Sequence, residues 1–331
     1  MNARVDIRNL AVSYASDDGS IRAIDGVSLA IGDGETVGIV GESGSGKSTL
    51  GMAIGRLLAP NASFDAGEIL VEGRAVLECS DAELRALRRE RLGFVFQNPM
   101  SALDPTMRIG RQMALALNVD GVSAAIEALL RRAGLDQPAR VAASFPHELS
   151  GGMAQRVVIA LAIARKPALV IADEPTASLD ASIKGVILDL LMALGHDTGA
   201  SLIVMSHDLR MVARRCARIV VMYGGRIVES GASRAVFTAP RHPYTQALVR
   251  AAAGNEGHGG RLEPIAGVPP VLRGRSTDCA FASRCAFAQA ICRTERPADI
   301  AVDGRLVACH FALGGLTPST PPVRPGLSVL P

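Results

Sequence analysis

Alternating apolar and polar positions near the N-terminus predict β-structure. Residues 5–14 alternate in this way, and a second apolar segment covers 21–31. The run Asp-Asp-Gly-Ser at 17–20 separates them and is rich in turn-forming residues. A third β-rich stretch, Glu-Thr-Val-Gly-Ile-Val, occupies 35–40. We expect strands over these segments and a helix that begins near Lys47.

Helical spacing of apolar residues dominates the middle of the chain. Ser80 and Glu83 have the spacing of a capping box, in which each side chain bonds the other residue's backbone N–H, so a helix should begin there and continue through Arg91. Segments 106–117 and 122–134 also have helical periodicity.

Later segments combine buried strands with helices. ELSGG opens a helix that we expect to end at Arg165, before Lys-Pro. The uninterrupted apolar runs 168–172 and 201–205 predict strands buried on both faces of a parallel sheet, and 182–195 predicts a helix between them. Strands that alternate with helices indicate an α/β fold.

Composition changes towards the C-terminus. Beyond residue 231 proline and glycine become frequent, and 317–325 reads as an irregular tail. We therefore divide the chain into 1–238 and a C-terminal region, 239–331.

Bulk properties exclude several classes of protein. A hydrophobic content of 48% and a charged content of 20% over 331 residues indicate a globular protein with a large core. The net charge of +3 is spread without long basic runs, so no nucleic-acid partner is expected. The absence of any run of about 18 apolar residues, and a charged N-terminal segment, predict a cytoplasmic chain without a membrane-spanning helix.

The most specific motif is a phosphate-binding loop. Gly-Glu-Ser-Gly-Ser-Gly-Lys-Ser at 41–48 matches G-x-x-x-x-G-K-[ST] and lies between a predicted strand and a predicted helix. Glycines allow backbone N–H groups to surround phosphate oxygens at the helix N-terminus. Lys47 should reach the β- and γ-phosphates, and Ser48 should ligate Mg²⁺. The alternative, a glycine-rich turn with an incidental lysine, does not account for the strand and helix around the motif.

Two adjacent carboxylates follow the first buried strand. At about 4 Å, like charges repel by about 4 kcal/mol at an effective dielectric constant of 20, which a divalent cation relieves. Asp173 is therefore the candidate Mg²⁺ carboxylate, and Glu174 can polarise the attacking water. His207 follows the second buried strand and can contact the γ-phosphate and that water. The alternatives are a solvated acidic strand end and a structural histidine.

A second anion site is predicted far from the phosphate loop. Ser150, Gly151 and Gly152 present free N–H groups and a hydroxyl at a helix N-terminus. Each bound nucleotide has one γ-phosphate, for which the chain already has a site. The second site is therefore expected to contact the ATP of another subunit in a head-to-tail dimer.

Together these motifs resemble the nucleotide-binding subunit of an ABC transporter over about residues 3–235. The matching residues are Tyr14, the loop 41–49, Gln97 in FVFQNP, LSGGM at 149–153, VIADEP at 170–175, SLD at 178–180 and SHD at 206–208. The resemblance implies a P-loop NTPase fold with an antiparallel β subdomain, a helical subdomain at about 90–165 and a small cysteine-containing C-terminal extension. It also implies ATP and Mg²⁺ as ligands.

The resemblance assigns roles by position. ATP-binding residues are Tyr14, Gly41, Ser43, Gly44, Gly46, Lys47, Ser48, Thr49, Ser150, Gly151, Gly152 and Asp180. Catalytic residues are Gln97, Glu174 and His207, and Mg²⁺ ligands are Ser48, Gln97 and Asp173. Tyr14 would stack on adenine, Gln97 would sense the γ-phosphate while facing the membrane subunits, and Asp180 would lie at the dimer interface. Two alternatives stay open: Tyr14 could be an ordinary core aromatic residue, and Gln97 could form hydrogen bonds only within its loop.

Longer motifs resemble the oligopeptide/dipeptide importer subfamily, which also contains nickel, opine and glutathione importers. They are GESGSGKS at 41–48, FQNPMSALDP at 96–105 and RHPYTQAL at 241–248. The resemblance implies a second ATPase subunit, two transmembrane permease subunits and an extracytoplasmic solute-binding protein. Many members of the subfamily use two different ATPase chains, which favours a different chain over a copy of this one, and both stay open. It places the chain peripherally on the cytoplasmic face of the inner membrane.

Four cysteines, Cys279, Cys285, Cys292 and Cys309, cluster near the C-terminus. Their spacing, C-x₅-C-x₆-C-x₁₆-C, lacks the close pairs of structural zinc sites. Thiolates suit zinc or an iron–sulfur cluster, and the resemblance implies a four-iron–four-sulfur cluster in some relatives. The alternative is that small cysteine side chains only pack the interior of the extension.

Two other functions are weighed against transport. Non-transport ABC ATPases of DNA repair or translation insert long coiled coils or carry tandem cassettes, whereas Gln97 and Leu149 are close in sequence and one cassette is present. A regulator without turnover would not require both Glu174 and His207.

Overall fold

The computed structural model describes residues 3–17, 19–253 and 265–314. The strands are β1 (Ala3–Ser16), β2 (Gly19–Gly32), β3 (Thr36–Val40), β4 (Ala62–Val71), β5 (Arg74–Ala75), β6 (Leu92–Val95), β7 (Leu169–Asp173), β8 (Ser201–Ser206), β9 (Arg218–Tyr223), β10 (Arg226–Ala232), β11 (Ile300–Val302) and β12 (Arg305–Val307). The helices are α1 (Lys47–Ile54), α2 (Asp81–Glu90), α3 (Ile109–Leu117), α4 (Ala124–Arg132), α5 (Pro138–Ala143), α6 (Gly151–Ile163), α7 (Ala181–Thr198), α8 (Leu209–Ala213), α9 (Ser233–Thr238) and α10 (Pro243–Ala253).

The larger sheet has the strand order β11-β12-β10-β9-β3-β8-β7-β6. Pairing is parallel from β9 through β6, and antiparallel among β9, β10, β12 and β11. Every residue of β7 and β8 is buried, which accounts for the apolar runs at 169–172 and 202–205. The predicted α/β fold with a parallel sheet is confirmed.

A second, antiparallel sheet has the order β2-β1-β4-β5. Its inner face includes Val5, Ile7 and Ile69, and these residues share a buried cluster with Leu50 and Ile54 of α1. The helix that follows the phosphate loop is therefore packed between the two sheets, and this packing fixes the orientation of its N-terminus.

Helices α3 to α6 form a separate group joined to the larger sheet. Their inner faces, including Ile109, Met113, Ile126 and Ile159, pack in one cluster with the helix α7. The helices predicted at 106–117 and 122–134 are present with shorter limits, because the caps lie inside the apolar periodicity. The predicted capping box is confirmed: Ser80 accepts from the Glu83 N–H, and the Glu83 carboxylate accepts from the Ser80 N–H.

The C-terminal region is joined to the larger sheet by backbone pairing. The β11–β12 hairpin pairs with β10 through Glu229 and Val307. Residues on both sides of position 238 thus belong to one sheet. The predicted irregular tail, 317–325, lies outside the described residues. Within the described ranges no helix has both the length and the apolar character needed to cross a bilayer.

Candidate nucleotide-binding and hydrolysis site

The candidate site lies where three neighbouring parallel strands end. Val40 at the end of β3 is opposite Ser206 of β8, and Asp173 at the end of β7 is opposite Met205 of β8. The phosphate loop follows β3, Asp173 ends β7 with Glu174 directly after it, and His207 follows β8. Parallel strands bring their carboxyl ends to one edge, and ligands of α/β proteins bind at that edge.

Glycine is required in the phosphate loop by both conformation and space. Gly44 and Gly46 have φ of +78° and +102°. A Cβ atom at Gly41 would lie 2.3 Å from the carbonyl oxygen of Met222, and one at Gly46 would lie 2.6 Å from that of Ala23. The loop can therefore keep its N–H groups turned inward only with glycine at these positions.

Lys47 is held by the loop's own carbonyl groups. Its Nζ donates to the carbonyl oxygens of Gly41 at 2.7 Å and Glu42 at 3.0 Å. Burial lowers the pKa of the ammonium group, while the carboxylates of Glu174, Asp173 and Glu42 oppose this shift. Phosphate oxygens can replace these carbonyl acceptors, so the geometry suits a lysine that binds nucleotide.

Of the three residues expected to hold Mg²⁺, the structure brings Ser48 and Asp173 into contact. Asp173 is buried, and burial raises the pKa of its carboxyl group, while a hydrogen bond from the Ser48 side chain lowers it. Among the described residues, Asp173 Oδ1 has no hydrogen-bond partner. A buried carboxylate oxygen without a partner, beside a hydroxyl, fits a hard cation with oxygen ligands. Gln97 is exposed, two residues beyond the end of β6.

Glu174 and His207 are in direct contact. His207 Nδ1 lies 3.0 Å from Glu174 Oε1 and 2.9 Å from Oε2. The hydrogen bond to Glu174 raises the pKa of His207, and burial opposes this. The backbone of Glu174 is left-handed, with φ of +46°, and its N–H donates to the Met205 carbonyl. The pair can orient a water molecule and accept its proton.

Two other expected nucleotide contacts lie close to this region. The hydroxyl of Tyr14 is 3.3 Å from the Thr49 hydroxyl of α1, and the Tyr14 ring is half-buried against the antiparallel sheet. Ser43 is exposed at the tip of the loop. The structure thus brings Tyr14 and Thr49 together, and the adenine contact of Tyr14 stays a prediction.

The ELSGG segment is open to solvent. Ser150 caps α6, where its hydroxyl accepts from the Met153 N–H at 3.3 Å. Ser150 and Gly151 are exposed, and an added Cβ at Gly151 or Gly152 would meet only side chains at 3.8 Å or more. Asp180 is also exposed, at the N-cap of α7. These residues are accessible to another molecule, as a site shared between subunits requires.

The four C-terminal cysteines converge without forming a ligand set. All four are free and border one cavity of about 20 Å³, room for about one water molecule. Burial raises the pKa of Cys279 and Cys285 to about 11, and the neighbouring thiols add to this shift. Among the described residues, no group of three or more histidine, cysteine, aspartate or glutamate side chains is arranged to hold a metal ion.

Sequence reasoning missed the contacts made by Glu42. Its carboxylate binds Arg284, and its N–H donates to the hydroxyl of Tyr244. The phosphate-loop pattern leaves position 42 unspecified, and more than two hundred residues separate the partners. The motif RHPYTQAL marked Tyr244 by resemblance, but it gave no signal of this contact.

Comparison with known proteins agrees with this geometry. Residues 24–177 match the family described as "ABC transporter", and residues 228–292 match "Oligopeptide/dipeptide transporter, C-terminal region". The "Probable peptide ABC transporter ATP-binding protein y4tR" of Sinorhizobium fredii is 41% identical, covering 88% of this chain and 90% of that protein. The "Dipeptide transport ATP-binding protein DppD" of Escherichia coli is 40% identical, covering 94% of this chain and 97% of that protein.

A solved structure shares the fold. It is a dimeric, post-hydrolysis state of the ATP-binding cassette MJ0796 bound to ADP and Pi, with 32% identity and a TM-score of 0.61, covering 70% of this chain and 99% of that one. Both transport proteins match this chain over most of its length, and the solved cassette shares its fold. These matches agree with the order of the motifs along the chain and with the site at three strand ends. This chain belongs to the ABC transporter family, as one of its ATP-binding, ATP-hydrolysing subunits.

Proposed function

We propose that this chain powers the import of di- and oligopeptides. The observation that carries the proposal is the match of residues 228–292 to the C-terminal region of oligopeptide/dipeptide transporters. Relatives named for peptide or dipeptide transport, which align over most of the chain, support it. A nickel, opine or glutathione importer is the alternative, and it keeps the same ATPase role.

Within one subunit, the proposed roles follow the geometry of the strand ends. The phosphate loop and Lys47 bind the phosphates, and Ser48, Asp173 and Gln97 hold Mg²⁺. When bound there, Mg²⁺ would supply positive charge close to the β- and γ-phosphates. Glu174 orients the attacking water and accepts its proton, and Tyr14 contacts the adenine.

His207 contacts the γ-phosphate and orients Glu174. The contact between the His207 imidazole and both carboxylate oxygens of Glu174 supports this role. While Glu174 is engaged by the imidazole, a bound water molecule would therefore share the Glu174 oxygens with His207.

The pocket is completed by a second subunit, which we propose to be a different chain of the same family. Ser150, Gly151 and Gly152 of one subunit grip the γ-phosphate bound to the other, and Asp180 lies at the interface. Their exposure supports this arrangement. ATP then favours the closed dimer, and hydrolysis reopens it.

The remaining partners are two permease subunits and an extracytoplasmic solute-binding protein, with the chain held peripherally at the cytoplasmic face of the inner membrane. Gln97 would face the permeases, and its exposure at the end of β6 supports this. We also propose a nucleotide-binding domain, 1–238, with its helical subdomain at about 90–165, and an extension, 239–331, that adds its own strands to the larger sheet.

We further propose that the cysteine cavity binds an iron–sulfur cluster or zinc. The convergence of four free thiols on one cavity supports this. In the form described, the cavity has space only for about one water molecule, so binding would require the thiols to lose their protons and move apart.

Uptake by cells tests the transported solute. A strain that lacks this chain should lose uptake of a labelled dipeptide and keep uptake of labelled nickel and glutathione. The wild-type chain should restore dipeptide uptake, and Lys47→Ala should not. Loss of nickel or glutathione uptake with unchanged dipeptide uptake would refute peptide import and support the alternative.

A further inference from the structure

The C-terminal region holds the second residue of the phosphate loop. Arg284 binds the Glu42 carboxylate through two bonds, Nη1 to Oε2 at 2.7 Å and Nη2 to Oε1 at 3.0 Å. The Arg284 side chain is only 3% exposed. The Glu42 N–H donates to the hydroxyl oxygen of Tyr244 at 2.8 Å. Side chain and backbone of one loop residue are therefore both fixed from outside the loop.

The same residue is tied to the phosphate-binding lysine. The Glu42 carbonyl accepts a bond from Lys47 Nζ at 3.0 Å and another from the Ser45 N–H at 3.2 Å. A displacement of Glu42 would move an acceptor of Lys47 and the turn that leads to Ser45. Any change at Arg284 can thus reach the groups that surround the phosphates.

Arg284 is itself rigidly positioned. Its Nε donates to the Ala266 carbonyl at 2.8 Å, Nη2 to the Ile265 carbonyl at 3.0 Å, and Nη1 to the Tyr223 hydroxyl at 3.2 Å. Its guanidinium lies 5.6 Å from the centre of the Tyr223 ring. The bonds to Glu42, above all, raise its pKa, so the group keeps its charge.

Packed rings support Tyr244, the second residue that holds Glu42. The ring centre of Tyr244 lies 4.5 Å from that of Tyr223 and 5.4 Å from that of Phe281. Tyr223 and Tyr244 are almost fully buried. Their hydroxyl groups therefore have little freedom to leave the loop, and the two supports of Glu42 belong to one rigid assembly.

We propose that Arg284 is a positioning residue for ATP binding, acting through Glu42 to hold the phosphate loop in its receptive shape. A loop fixed before binding does not lose its conformational freedom when ATP arrives, which increases affinity. The inference deepens the nucleotide-binding role and is independent of the transported solute. It also assigns part of the ATP site to the C-terminal region.

The test uses the purified full chain, with binding of ATP and its hydrolysis measured separately. Arg284→Gln should raise the Kd and the KM for ATP about five- to tenfold, with kcat changed less than twofold; this is less than the full loss of a charge-assisted hydrogen bond, because Arg284 acts on ATP only through the loop. Arg284→Lys should lie between this variant and the wild type, because lysine keeps the charge but loses the two-pronged geometry. Arg293→Gln, an exposed arginine of the same region, is the control and should leave both constants unchanged.

A double-variant cycle separates positioning from general stability. Glu42→Gln should resemble Arg284→Gln, and the double variant should be no worse than either single one, because each removes the same interaction. Three outcomes would each overturn the proposal. They are an unchanged Kd in Arg284→Gln, additive effects in the double variant, and a lower melting temperature with fewer active molecules but an unchanged KM. None of these outcomes affects peptide import, which the uptake assay tests.

Discussion

Glu174, the proposed base for hydrolysis, has an unfavourable backbone conformation. A left-handed φ of +46° is uncommon for a residue with a side chain and costs of order 1–3 kcal/mol. The bond from its N–H to the Met205 carbonyl and the contact of its carboxylate with His207 maintain this conformation. Such conformations are concentrated at functional sites, which agrees with the proposed role in hydrolysis.

Replacement of this carboxylate separates binding from hydrolysis. Glu174→Gln should bind ATP with unchanged affinity and lose at least about 100-fold in turnover, because the amide cannot accept the proton of the attacking water. Nucleotide binding and phosphate release by the purified chain measure the two effects. Glu90→Gln, with a side chain 54% exposed on α2, serves as the control. Turnover retained in Glu174→Gln would exclude Glu174 as the base.

The pKa of His207 reports the same contact. It should lie above the ordinary value of 6.5, since Glu174 stabilises the imidazolium ion, and it should fall in Glu174→Gln. The pair therefore contributes to folded-state stability below pH 6.5, and that contribution is lost as the pH rises through the raised pKa. NMR titration of the imidazole measures it. Equal pKa values in the two proteins would mean that the contact is absent in solution.

Strands and helices could be predicted from sequence where the residues that specify them are close together in the chain. The buried strands β7 and β8 and the capping box at Ser80 follow from short apolar runs and from a four-residue pattern. Helix limits were less accurate: α6 ends at Ile163 rather than Arg165, and α7 extends to Thr198. Periodicity identifies the buried face of a helix, whereas caps depend on backbone geometry that the pattern does not encode.

At the scale of elements, the N-terminus of α6 should act between subunits. Ser150→Arg should leave ATP binding by one chain intact and prevent closure of the ATP-bound dimer, because the larger side chain would occupy the partner's phosphate site. Light scattering with Mg-ATP and the partner ATPase subunit, in the Glu174→Gln background to prevent turnover, measures closure. Ala125→Arg, an exposed position on α4, controls for added charge. Normal closure of Ser150→Arg would contradict the shared pocket.

The whole molecule contains relationships that no local pattern revealed. The clustering of four cysteines near the C-terminus suggested either a metal site or simple packing, and the structure brings the four thiols to one cavity. Nothing in the pattern predicted that Arg284, beside Cys285, reaches the phosphate loop, or that β12 pairs with β10. Both contacts join segments distant in sequence, so they depend on the complete fold.

The metal content of the whole protein tests the role of the cysteines. Protein purified without oxygen should contain iron and sulfide, or zinc, in about stoichiometric amount, and Cys285→Ser should reduce that content. Cys216→Ser is the control, because burial raises the pKa of this thiol to about 12 and it lies outside the cavity. Wild-type protein free of iron and zinc would favour a packing role.

The β11–β12 hairpin also limits pairing between one copy of the protein and another. It pairs with one edge of β10, whose backbone N–H and C=O groups could otherwise form hydrogen bonds with a strand of another molecule. A chain shortened before residue 300 would leave Glu229 and Ser230 of β10 without their backbone partners in β12. Self-association through this exposed backbone is therefore a hazard that β11 and β12 reduce.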